Sequence, residues 1–320
     1  MKYITQWLEF LRGLTPWQKI WPLAFVLIYW LTLFALQGFR GDHAAMGIIL
    51  LILNYGGHRA RAFFRIFWPV LATGIVYDSQ RFYSDYIRGP VHVQEPYYFD
   101  KKFFGIATDQ GVLTPNEYFA IHHNAFFDLI TGFAYLVFIG EYFLFALFVW
   151  AVKKSSEMAY RMTLGFFIVN VIGYSTYYWY AAAPPWYVTL YGLGPADMSA
   201  KPNPAACLRF DELLGTHFFT GMYGRSADVF GAIPSLHVAY PLLAFLYSFQ
   251  VNGRGARFLQ YFTGGFWILM QFSAVYLQHH YVLDIIWGDC YALLVYAGME
   301  WYFKLKKNAR IESALNTQTA

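Results

Sequence analysis

Two short stretches combine residue types that can together handle a phosphoryl group. The first is Phe230-Gly-Ala-Ile-Pro-Ser-Leu-His-Val238. Gly231 and Pro234 predict a loop-to-helix transition, with Pro in the first helical turn, where it forfeits no hydrogen bond. The N–H groups near Ser235 and Leu236 are then expected to be unpaired and to face outward, a setting that binds anions. His237 follows at once and could protonate an oxygen leaving phosphorus. The second stretch is His279-His280-Tyr281-Val282-Leu283-Asp284. His280 and Asp284 are four apart and share a helix face. An Asp on one ring nitrogen sets the tautomer and leaves the other lone pair free for attack. A lone histidine at a membrane boundary is usually only interfacial, and His279 reads that way first. His237, His280 and Asp284 read instead as a catalytic set.

These residues need helices to hold them, and the composition supplies the kind. Of 320 residues, 58% are hydrophobic, 22% aromatic and only 13% charged. A soluble domain carries about a quarter charged residues. Apolar runs predict an all-α polytopic integral membrane protein with about eight spans: Ile20–Gln37, Ala44–Tyr55, Phe63–Tyr77, Phe127–Val152, Met162–Ala182, Ser235–Gln250, Phe258–Leu277 and Val282–Phe303. The organisation expected is one membrane domain over 1–320. It comprises N-terminal helices over 20–77, an extracytoplasmic amphipathic segment over 78–126, a catalytic helical core over 127–303 and a cytoplasmic tail over 304–320. The first run has no small-residue cleavage site after it and is expected to be a retained span. The tail from Ile311 onward is expected to fray.

Eight spans place both termini on one side. Fifteen of the 23 Lys and Arg then fall on that side and eight on the other, which predicts cytoplasmic termini and both histidine motifs on the opposite face. The net charge of +4 carries no basic cluster of the nucleic-acid-binding kind. Cys207 and Cys290 fall in a loop and a span, so no disulfide is expected. Thr114-Pro-Asn-Glu117 predicts a helix start, capped by Thr and opened by Pro, with the helix continuing through Tyr118 and His122. Glu141 lies within a span and is expected to bond a neighbouring helix. Tyr174, Tyr177, Tyr178 and Tyr180 read as packing and interface residues.

The motifs resemble those of the phosphatidic acid phosphatase type 2 superfamily. Pro234-Ser235-Leu236-His237 is similar to its Pro-Ser-Gly-His motif. Ser273-Ala274, five residues, His280, three residues, Asp284 is similar to its Ser-Arg-x5-His-x3-Asp motif, with Ala274 where the family has the Arg that grips the phosphoryl group. Arg81, six residues, Arg88-Gly89-Pro90 imitates its Lys-x6-Arg-Pro motif with Arg for Lys and an extra Gly. The family places that motif where this chain has Ala183-Pro184-Pro185-Trp186, which holds no base. Leu236, His279-His280-Tyr281, Ala182–Tyr187, Tyr77-Asp78-Ser79, Val91–Pro96 with Phe104-Gly105, and Thr114–Phe119 resemble the inositol phosphorylceramide synthase branch, especially its bacterial members.

The resemblance implies a six-helix core without metal or cofactor. It also implies a phosphohistidine on His280 with His237 as acid and base. The donor implied is phosphatidylinositol and the acceptor a ceramide-like hydroxyl, with diacylglycerol released. Ser235, Leu236, His279, Tyr281, Pro185 and Trp186 are the expected substrate contacts, and Arg81, Arg88, Arg209, Arg225 and Lys201 the candidate phosphate binders. The membrane implied is a bacterial inner membrane with a periplasmic site, or a Golgi membrane with a luminal one. A lipid phosphatase and a non-catalytic lipid transporter or scaffold are the competing readings. The head group, acceptor chain and oligomeric state are not legible from the residues.

Overall fold

A bilayer leaves an apolar stretch one way to satisfy its backbone short of closing a barrel, the α-helix. A computed structural model describes residues 2–36, 38–109, 111–224 and 228–318, and a helix runs through most of every expected span, although the fifth leaves its helix after Trp179 and Gln37 of the first lies outside the described residues. The chain divides into two compact units, Met1–Phe82 and Tyr83–Ala320.

The first unit contains α1 (Lys2–Arg12), α2 (Pro16–Leu36), α3 (Gly41–Tyr55) and most of α4 (His58–Ile87). α2 and α3 pack closely because Gly47 has no side chain: a Cβ there would lie 2.5 Å from Trp30 Nε1. α4 runs ten residues beyond the expected end of its span at Tyr77. Asp78 and Arg81 continue it as a paired polar helix, and nothing breaks it before Gly89-Pro90.

The second unit opens with α5 (Gln94–Phe103), then a hairpin of β1 (Ile106–Thr108) and β2 (Gly111–Leu113), the one sheet among the described residues. α6 (Pro115–Ile121) and α7 (Ala125–Ala151) follow. The expected single amphipathic segment is thus two short helices and a hairpin, separated by Gly105 and the capping Thr114. Thr114 Oγ1 accepts from Glu117 N–H, and the Glu117 carboxylate accepts from Thr114 N–H, the reciprocal capping box that the sequence predicts. His122 lies just past the helix end as its cap.

Beyond α7 come α8 (Ser156–Trp179), α9 (Pro185–Tyr191), a 3-10 turn (Ala205–Cys207), α10 (Leu208–Leu214), α11 (Phe218–Tyr223), α12 (Leu236–Ser248), α13 (Ala256–Tyr276) and α14 (Val282–Gln318). α14 carries no Pro and ends in good helix formers, so the expected frayed tail is helical to Gln318.

α2, α7 and most of α14 are long and apolar enough to cross a membrane. α12 has 13 residues and rises about 20 Å, short of a hydrocarbon core of about 30 Å. It tolerates this because it sits at the centre, packed on α7, α8, α13 and α14 and buried nearly all round. The outer helices turn large apolar side chains outward, such as Phe133, Leu144, Ile268 and Leu294, as lipid-facing surfaces require. The protein is an all-α polytopic membrane protein.

Candidate active site

The two histidines sit at the starts of α12 and α14, and three devices bring those starts together. Backbone comes first. Ser235 N–H donates to the Asp284 carbonyl at 2.9 Å. Gly288 permits this approach, since a Cβ there would lie 2.2 Å from the Ser235 carbonyl oxygen. Extended segments around His92, Ala182 and Gly231 then lie side by side in parallel, tied by bonds such as Ala182 N–H to Phe230 O and Ala232 N–H to Ala182 O. This ladder holds the Ala232 carbonyl beside the His280 ring.

Capping comes second. α13 ends with Gln278 in the left-handed region, at φ 64°, and the N–H groups of His279 and His280 both donate to the Ala274 carbonyl. Tyr281 caps α14. Asp284 Oδ2 accepts the Tyr281 N–H at 2.9 Å, and the Asp100 carboxylate accepts from Val282 and Leu283 N–H at 2.7 and 3.0 Å. The orphan donors of the first turn are thereby met by two acids. Burial raises the Asp100 pKa to about 7, against the pull of these two donors.

The third device is Asn116, in the first turn of α6. Its Nδ2 donates to the carbonyls of Val275 and His280, both at 2.9 Å. The outer helices α5 and α6 thus clamp the His280 turn from both ends. Asp100 and Asn116 escape sequence reasoning because their partners lie more than 150 residues away.

His237 Nδ1 and His280 Nε2 are 3.0 Å apart. His280 Nδ1 lies 3.0 Å from the Ala232 carbonyl, which can only accept, so that nitrogen carries the proton. Nε2 then holds the lone pair and accepts from His237 Nδ1–H. Burial lowers the His280 pKa to about 4, in keeping with a neutral ring. His237 is stacked on Tyr135, with centroids 4.3 Å apart, and lies 4.6 Å from the Phe138 ring. It is partly exposed, whereas His280 and Asp284 are buried.

Several expectations need correction here. Asp284 is not the nearest partner of His280 Nδ1: its Oδ2 stands at 3.4 Å because it caps Tyr281, and Ala232 is closer. The His280 lone pair is not free, since His237 occupies it. Pro234 precedes the cap residue Ser235 rather than opening the helix, and the Ser235 N–H is paired with Asp284. His279 is held by its surroundings: Nε2 faces the Pro204 carbonyl at 3.2 Å and Cys207 Sγ at 3.4 Å, while Nδ1 faces the Tyr223 hydroxyl at 3.4 Å. Its pKa is lowered to about 3 by burial, so it is a neutral packing residue. Glu141 bonds no neighbouring helix among the described residues, because neither buried carboxylate oxygen has a partner.

Three of the five expected phosphate binders are already engaged. Arg88 pairs with the buried Asp228 at 2.9 Å and Arg209 with Asp128 at 2.9 Å. Arg81 belongs to the first unit and pairs with Asp78. Lys201 is exposed, and Arg225 lies outside the described residues. Trp186 is buried with Tyr187 and Phe230, and its backbone N–H donates to the Gln278 carbonyl, so Pro185-Trp186 props the turn before His279. Ala274 is fully buried, with no guanidinium in its place. Two buried hydroxyls, Ser235 Oγ and Tyr135 Oη, have no hydrogen-bond partner among the described residues, and Tyr135 stacks on both His237 and His279. Cys207 and Cys290 are both free thiols. In the first unit Asp42, His43 and Asp78 bring possible metal-ligand atoms within 4.8 Å of one another, but Arg40 and Arg81 already compensate the acids.

A family model described as the PAP2 superfamily matches residues 113–298. The chain belongs to the PAP2 superfamily. It is 35% identical to a phosphoinositol dihydroceramide synthase of Bacteroides thetaiotaomicron, across 82% of this chain and 85% of that one. It is 33% identical to an inositol phosphorylceramide synthase catalytic subunit of Schizosaccharomyces pombe, over 48% of this chain and 34% of the relative. The corresponding Saccharomyces cerevisiae subunit is 33% identical over 40% and 31%. Within the PAP2 superfamily the chain falls in the inositol phosphorylceramide synthase branch. No solved structure gives a significant match.

Proposed function

We propose that this enzyme moves a phosphoinositol-type head group from phosphatidylinositol to the hydroxyl of a ceramide-like lipid. The observation that carries the chemistry is the His237–His280 pair, with the His280 lone pair selected by the Ala232 carbonyl. The transferase reading rests on the bacterial relative's name and on its coverage of nearly the whole chain.

The phosphodiester takes the place of the direct hydrogen bond between the rings. Attack at about 3–3.5 Å on one side and a hydrogen bond of about 3 Å on the other require the 3.0 Å nitrogen separation to open to roughly 6 Å. His237 enters as imidazolium, stabilised by the anionic substrate. His280 Nε2 forms a bond to phosphorus, the bond to the diacylglycerol oxygen breaks, and His237 gives that oxygen its proton. The ceramide-like hydroxyl then attacks phosphorus, its proton passes to His237, and the P–N bond breaks. Asp284 and the Ala232 carbonyl stabilise the His280 ring as it gains charge. The Ser235 and Tyr135 hydroxyls donate to the phosphoryl oxygens, the duty that an Arg at position 274 would serve.

The site faces away from the cytoplasm, in a bacterial inner membrane. Cysteines placed at Ser199 and Ser156, in a Cys290→Ala background, should label from outside and inside respectively. For the reaction, purified enzyme in mixed micelles should convert phosphatidylinositol and ceramide to an inositol phospholipid product with matching diacylglycerol. Water-soluble inositol phosphate without the lipid product, acceptor present, would establish a hydrolase instead.

A further inference from the structure

The first unit holds a polar cleft of about 590 Å³. It lies between α1, the start of α2 and the start of α4, and is lined by Glu9, Phe10, Gln18, His58, Arg61 and Arg65 among others. Three features give it one chemistry. α4 begins here with His58, Arg59 and Arg61 and no acid in its first turn, although the positive end of a helix dipole disfavours cations. Arg61 is 9% exposed, yet its buried Nη1 has no hydrogen-bond partner among the described residues. A buried guanidinium nitrogen in that state costs free energy unless an acceptor arrives. Burial and the neighbouring Arg65 both depress the Arg61 pKa, so the site is short of negative charge. Glu9 is the one acid among the described lining residues and is exposed.

We propose that this cleft binds a phosphate group, with Arg61 and Arg65 as its ligands and the first-turn N–H groups of α4 behind them. The carrier is an anionic phospholipid head group or a soluble phosphate ester. α1 favours the lipid: it exposes Tyr3, Ile4, Trp7 and Leu8 beside the cleft, as a helix lying in the interface does. Head-group phosphates occupy that depth. The site is independent of the two catalytic histidines.

The test is native mass spectrometry of the full-length protein with dioleoyl phosphatidylglycerol, with and without inorganic phosphate as competitor. The unmodified protein should retain the lipid. Arg61→Gln should weaken retention about tenfold, the loss of one charge-assisted hydrogen bond, and His280→Ala should leave it intact. Competition by millimolar phosphate would assign recognition to the phosphate alone. Lipid binding that phosphate fails to displace would assign it to the head group with its chains. If Arg61→Gln does not fold, Arg65→Gln carries the test, since Arg65 is exposed and its loss leaves packing unchanged. Equal retention of both probes by the unmodified protein and whichever variants fold overturns the proposal.

Discussion

Replacing Asn116 should uncouple the outer helices from the His280 turn. Its amide holds two carbonyls, Val275 and His280, at 2.9 Å. Val275 O keeps a second donor in Gln278 N–H, so Asn116→Ala costs it one of two bonds, about 0.5–1.5 kcal/mol. His280 O is left buried without that donor, a penalty of about 1–3 kcal/mol. The sum, about 1.5–4.5 kcal/mol, falls on the turn that aims the His280 ring. A ring displaced by about 1 Å loses on the order of 100-fold in rate. Asn116→Asp is the sharper variant, because it keeps the shape and turns a carboxylate toward two carbonyl oxygens. Initial rates over a range of donor concentrations should show kcat falling about 100-fold in Asn116→Ala and further in Asn116→Asp, with KM moved far less. Asn116→Gln, which can still donate, should recover part of the loss. A folded Asn116→Asp enzyme with unaltered kcat would refute the claim that α6 positions His280.

His280→Ala should abolish turnover and any phosphoenzyme trapped by acid quench of labelled donor, whereas His237→Ala and Asp284→Asn should slow turnover by about 100-fold or more; full activity in any one removes that residue from the scheme. Gly288→Ala puts a methyl group 2.2 Å from the Ser235 carbonyl. It should destabilise the protein by about 1–3 kcal/mol and lower kcat as the rings part, seen as a reduced thermal midpoint in detergent; an unchanged midpoint contradicts the packing. Burial lowers the His280 pKa to about 4, so the ring stays neutral as pH falls through the ordinary imidazole range. The acid limb of kcat/KM should therefore lie near pH 4, and a limb near 6.5 would mean a solvated nucleophile. Over the same window the unfolded chain takes up protons that His279 and His280 refuse, so their contribution to stability declines from about pH 6.5 toward 4.

What was legible in the sequence depended on short range. Long apolar runs found every long helix, because the bilayer imposes length and hydrophobicity directly on the residues that meet it. The Thr114 cap was legible because both partners lie within four residues. The ends were less so. Asp78 looked like a boundary, but a charged residue ends a hydrophobic run without ending a helix. Arg88 and Arg209 looked available because Asp228 and Asp128, which pair with them, lie 140 and 81 positions away.

By itself the sequence determined that the chain is a bundle of membrane helices with two histidines and an aspartate at helix starts on one face. Residue type and local spacing suffice for that, since hydrophobicity, capping and helix faces are short-range properties. Only the tertiary structure decided how the histidines are held. A backbone carbonyl on one loop fixes the His280 tautomer, and a partner ring covers its lone pair. Asp100 and Asn116, on two short outer helices, hold the turn in place. Hydrogen bonds between distant segments depend on how helices pack, and no spacing along the chain encodes that.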